Sequence, residues 1–254
     1  MKKISADQQK ELFGFSWQWR FCPDERFGPS VPREEYKERG KDLLISHATD
    51  IIYEFQRVTE ETPLNREAIE CIVKDSSFTY NGKASNIVRI HNYHKGIEEV
   101  ARFSDVYFFN DPKQWGHTFS DIYAQLHPNG EPLLNDSLLK LGSALDKYTD
   151  DPLEKAFVLF LTFSMKSHWE YHSCNLDWIY KFDHLWFGYL IMNGYLISNG
   201  YLPIIFNEMP RNEFNQRLGL LVGGLDALPL MELCISHMRP VGYVGNLLSH
   251  QKES

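Results

Sequence analysis

The chain has 254 residues, an ordinary mix of apolar and charged side chains, and a formal net charge of −8. That length can carry a large buried core. The acidic balance, with Lys and Arg interspersed among Asp and Glu, excludes a general attraction to nucleic acid or to an anionic membrane. Cys22, Cys71, Cys174 and Cys234 form no CxxC pair and read as reduced thiols of a cytoplasmic protein, not as a disulfide framework.

Residues 1–34 are rich in aromatics and Pro and read as an arm packed on a helical domain spanning 35–254. Their start, MKKISADQQKELFGF, has no apolar h-region, so no signal peptide is expected. From Arg33 to about Arg57, Leu43, Leu44, His47, Ile51, Ile52 and Phe55 fall at the three- and four-residue spacings of an amphipathic helix. TEETP breaks it, with Pro63 read as a first-turn residue of a second helix running to about Lys74. Asn81-Gly82 marks a turn, and a helix follows from about Asn86 to Phe103. Further helices are predicted near Thr118–Leu126 and over Ser137–Tyr148, on either side of the turn in HPNGEP.

Asp150-Asp151-Pro152 opens the next helix, with an Asp cap and Pro in the first turn, and the pattern runs to about His172. A polar, aromatic loop over about Ser173–Phe182 precedes a helix over Asp183–Ser198, which Asn199-Gly200 closes. Leu185–Phe206 is the most apolar stretch. Asn193, Ser198, Asn199 and Pro203 interrupt it, so it reads as a buried helix, a turn and a short extended segment, not a membrane span. Two last helices are expected over Arg211–Leu221 and from Ala227-Leu228-Pro229 onward. The fold class that follows is all-α, with little or no β-structure. The Asp151–His172 and Asp183–Ser198 helices should form a central antiparallel pair.

Three stretches, in order, resemble the Fic (Fido) family. They are TEETPLNREAIECIVKDSSFTYNGKASNIVRIHNYHKGIEEV (59–100), SLLKLGSALDKYTDDPLEKAFVLFLTF (137–163) and LIMNGYLISNGYLPIIFNEMPRNEFNQRL (190–218), the last followed by DALPLMEL. The resemblance implies a Fic-like helical domain, a ligand pocket at the loop joining the two central helices, and transfer of AMP from ATP with Mg²⁺. It also aligns Glu60 with an inhibitory Glu that pairs with an arginine of the catalytic loop. The family's HPFxxGNGRxxR loop is missing. Counting back from Met192-Asn193 places it on WIYKFDHLWFGY (178–189), which has no GNGR and no Arg; counting forward from Asp151-Pro152 places its His near Ser167 or His168. The target-clamping hairpin also reads as short or lost near HPNGEPLLND.

The residues themselves offer a polar cluster where that pocket would lie: His168, Glu170, His172, Cys174, Asn175 and Asp177, then Lys181, Asp183 and His184. His168 and His172, four apart on one helix face, are the candidate catalytic bases. With Cys174 or Asp177 they also suit a shared metal, although the segment is not HExxH. Hydrogen-bonded loop residues are the competing reading, and no metal is assigned. The expected pocket residues are Glu60, Asn175, Asp177, Trp178, Lys181, Asp183 and His184. On its own residues Glu60 reads as a solvated helix-terminal acid, and Trp178 and Trp186 as packing or as a stacking wall. Lys181 is the one cation of the loop, so ATP binding should be weak or absent. Three functions stay open: a degenerate Fic-like protein that binds a protein partner or ligand, a divergent transferase using a nucleotide or nucleotide-sugar donor on a protein hydroxyl, and a metal-binding helical protein. ATP and Mg²⁺ are expected only if family activity is retained.

Overall fold

A computed structural model describes residues 7, 10, 33–74, 83–104, 106–126, 135–174, 179–224 and 226–241, without side-chain detail at 106, 135–137, 166–174, 179–183, 222 and 224. All of the 1–34 arm except residues 7, 10, 33 and 34, the Asn81-Gly82 turn and most of HPNGEPLLND therefore lie outside the described residues. The elements are α1 (Glu35–Ser46), α2 (Ala48–Thr59), α3 (Arg66–Val73), α4 (Ala84–Phe103), α5 (Val106–Asn110), α6 (Pro112–Leu126), α7 (Asn135–Tyr148), α8 (Pro152–Cys174), α9 (Ile179–Ser198), β1 (Ile204–Phe206), α10 (Arg211–Gly224), α11 (Leu228–His237) and β2 (Met238–Pro240). The protein is mainly helical, with one two-stranded antiparallel sheet among the described residues.

The helix expected over 33–57 is two helices. His47, at φ −104° and ψ 17°, leaves helical geometry and separates α1 from α2. Leu44, Ala48, Ile51, Ile52 and Phe55 are all buried across the break, so the apolar stripe runs through it and hides it in the sequence. Pro63 lies before α3, not in its first turn. Asn65 is the cap, its side chain accepting from the Ala68 N–H at 2.8 Å. Asp151 caps α8 as expected, its Oδ1 accepting from the Leu153 N–H at 2.9 Å.

α8 and α9 make the most extensive helix contact among the described residues. Gly188 permits it: a Cβ there would lie 3.1 Å from the Phe160 carbonyl oxygen and 2.9 Å from the Phe163 Cβ. Every described side chain of α9 from His184 to Ile197 is buried, as expected of a helix that is apolar on all faces. α4, α5, α6 and α1 surround it. Gly200, at φ 77°, ends α9. The Tyr201 N–H reaches the Leu196 carbonyl and the Gly200 N–H the Ile197 carbonyl, both at 2.9 Å, so the last carbonyls are satisfied.

The chain then turns back as β1, held along both edges. Asn193 of α9 accepts from the Ile204 N–H at 2.7 Å and donates to the Ile204 carbonyl at 3.2 Å, which the Tyr189 hydroxyl also meets at 2.6 Å. On its other edge β1 pairs with β2, Ile205 opposite Arg239. The far edge of β2 is blunted. Pro240 has no N–H, the Met238 N–H caps α11 on the Cys234 carbonyl, and the Met238 carbonyl accepts from Arg239 at 2.7 Å. Among the described residues, no helix is long and apolar enough to cross a membrane.

Candidate functional site

Phe55, Tyr93, Trp186, Tyr189 and Phe206 form an aromatic cluster where α2, α4, α9 and β1 meet. Trp186 lies 4.7 Å from both Phe55 and Tyr93, edge-on to the first and stacked on the second. One helical turn beyond it, on α2 and α4, lies a buried ion pair. Glu60, the C-cap of α2, is 6% exposed. Its Oε2 accepts from Arg89 Nη2 of α4 at 2.8 Å, and its Oε1 from Gln56 Nε2 at 3.0 Å. Gln56 is fully buried, and its own oxygen faces the Leu64 N–H at 3.4 Å. Burial pushes the Glu60 carboxyl above the usual carboxylate range, outweighing the opposing pull of Arg89 and Gln56.

Glu60 is therefore not the solvated acid that its position at a helix end suggests. It also has an arginine partner, but from α4 and not from the 178–189 stretch on which the family's catalytic loop falls. Sequence reasoning missed Arg89. The readable signal was its place one turn before buried Tyr93, on the border of the Ile90–Tyr93–Ile97–Val100 stripe, where an arginine needs an acid to meet it.

His184, in the second turn of α9, is 5% exposed and stacks on Tyr123 of α6, with 5.4 Å between ring centroids and 27° between planes. The Tyr123 hydroxyl lies 3.4 Å from His184 Nε2. Of the expected pocket residues, Glu60 and His184 are thus the two with described side chains, and they have different neighbours. His168 and His172 lie in the C-terminal part of α8, and Lys181 and Asp183 in the first turns of α9; their side chains are outside the described residues. Asn175, Asp177 and Trp178 are outside them altogether, as is the expected pocket wall. Among the described residues, no group of three or more His, Cys, Asp or Glu side chains is placed to hold a metal, while the His168–His172 pair is outside that statement. Cys71 is exposed and Cys234 buried, both as free thiols; Cys22 and the Cys174 side chain are not described.

The N-terminal half of α9 thus carries an aromatic layer through Trp186 and a buried histidine on a tyrosine, with the Glu60–Arg89 pair of α2 and α4 one turn beyond that layer. No family model, curated protein or solved structure matches the chain.

Proposed function

We propose that the chain is a degenerate Fic-like protein that holds a protein partner or a small ligand around the N-terminal half of α9 without transferring AMP. The sequence supports this by the order of its Fic-like stretches and by the absence of GNGR and of any arginine over 178–189. The observation that carries it is the engagement of Glu60. Arg89 and Gln56 take up both its oxygens within the fold, and the arginine that would read a nucleotide phosphate in the family has no counterpart over 178–189. Phosphoryl-group chemistry needs cations and oriented N–H groups around the transferred phosphate, and Lys181, in the first turn of α9, is the one cation over 173–182.

The test is incubation with Mg²⁺ and ATP labelled at the α-phosphate, with and without a bait protein. The expected result is no label on the chain or the bait. Label that is transferred, and lost in His172→Ala, would overturn the reading in favour of a divergent transferase with His172 as base.

A further inference from the structure

The Arg89 guanidinium is only half used. On the edge that Nε shares with Nη2, an arginine can take both oxygens of one carboxylate. Glu60 occupies one arm of that fork. Its Oε2 accepts from Nη2 at 2.8 Å, while Gln56 turns Oε1 away to its own amide at 3.0 Å. Arg89 Nε is left buried with no hydrogen-bond partner, although the side chain as a whole keeps 21% exposure. A second donor without an acceptor lies nearby. The indole N–H of fully buried Trp186 has no partner, and that ring stacks on Tyr93, one turn or about 6 Å along α4 from Arg89. Buried donors without acceptors are rare in folded proteins, and one on a permanent charge is the costliest kind. Both are N–H donors, so each calls for an acceptor.

We propose that the Nε edge of Arg89 anchors a site for the carboxylate of a small ligand, and that Glu60 takes up one proton as that carboxylate arrives. The proton follows from charge. A second anion on one guanidinium leaves a net negative pair in a buried place, and Glu60, already short of compensation there, is the group that can be neutralised. The groups facing Glu60 are Gln56 from its own helix and Arg89 from α4. Arg66 of α3 bonds Asp50 instead, and His184 of α9 faces Tyr123. A monocarboxylate fits better than a phosphate dianion, because Arg89 is the single cation at the pair. This inference rests on the ligand-binding half of the proposed function. Acetate carries no nucleotide, so its binding is read independently of AMP transfer, and the failure of one is not the failure of the other.

The experiment is calorimetric titration of the full chain with acetate near neutral pH, in two buffers of different ionisation enthalpy. Expected are saturable binding and uptake of about one proton per acetate bound. Glu60→Gln should bind acetate with no linked proton. Arg89→Lys, which keeps the charge but loses the fork, should bind about tenfold more weakly or not at all. Absence of binding in both the natural chain and Glu60→Gln, unchanged affinity in Arg89→Lys, binding without proton uptake in the natural chain, or tighter binding of inorganic phosphate than of acetate would each overturn the proposal.

Discussion

At the scale of single residues, the Glu60–Arg89 pair behaves unlike a surface salt bridge. Its carboxyl titrates above the usual range because burial outweighs the arginine. The folded state then binds the proton more readily than the unfolded chain does. The contribution of this group to stability is full below the ordinary value of 4.5 and is lost as pH rises through the folded value. Glu60→Gln should therefore unfold at higher urea than the natural protein at neutral pH, with the gap closing as pH falls toward 4.5. A less stable Glu60→Gln at pH 7 would mean that the charge itself holds the fold. Removing the other partner is different. Arg89→Ala leaves a buried carboxylate without its cation and should cost about 3 kcal/mol in urea denaturation at pH 7.

A second residue stores strain. Glu208 sits at φ 52°, a left-handed conformation that a side chain other than Gly or Asn rarely takes. Burial raises the carboxyl of Glu54, and the charge of Glu208 adds to that. Glu208→Gly should raise the thermal midpoint by an amount equal to roughly 0.5–1 kcal/mol, since relief of strain and of like charge exceeds the added freedom of the unfolded chain. A lower midpoint would show that Glu208 is held in that conformation by contacts worth more than the strain.

At the scale of elements, α9 is the beam on which the rest is hung, and two of its positions are testable. Asn193 supplies β1 with the partner that a neighbouring strand would give, bonding both the N–H and the carbonyl of Ile204. Asn193→Ala orphans buried backbone groups and should cost about 2–3 kcal/mol, with no change in helix content by circular dichroism. At Gly194 a Cβ would lie 2.3 Å from the Phe109 ring of α5. Gly194→Ala should destabilise by about 1–3 kcal/mol, and Phe109→Leu should recover part of the loss, if the close approach of α5 to α9 is what the glycine permits.

Helices with strong periodicity were legible: α4, α7 and α8 lie close to where the pattern puts them, while α9 starts one turn earlier, at Ile179 and not Asp183, so the loop expected over Ser173–Phe182 is cut to 175–178. The start of α6 was not read, although its signature is the one used for α8. Asp111 precedes Pro112 as Asp151 precedes Pro152, and the Asp111 side chain accepts from the Lys113 N–H at 3.0 Å. α5, five residues long, carries too short a pattern to register a period. The His47 break was hidden because residues on both sides of it bury the same stripe.

At the scale of the whole molecule, the all-helical class was legible because it follows from local periodicity summed along the chain. The site was legible only in part, because its partners meet through packing. Arg89 lies 29 residues from Glu60, and Tyr123 lies 61 from His184, so no spacing rule joins them. Glu60 was picked out by resemblance alone, and its burial depends on α4 lying against α2 and α3, which the sequence does not state. The side chains of His168, His172 and Lys181 fall outside the described residues. If the proposed function holds, the chain has no working nucleotide site, and calorimetric titration of the purified chain with Mg²⁺-ATP should show weak or absent binding. Micromolar affinity abolished by Lys181→Ala would contradict it, because a phosphate site would then have been rebuilt from other residues.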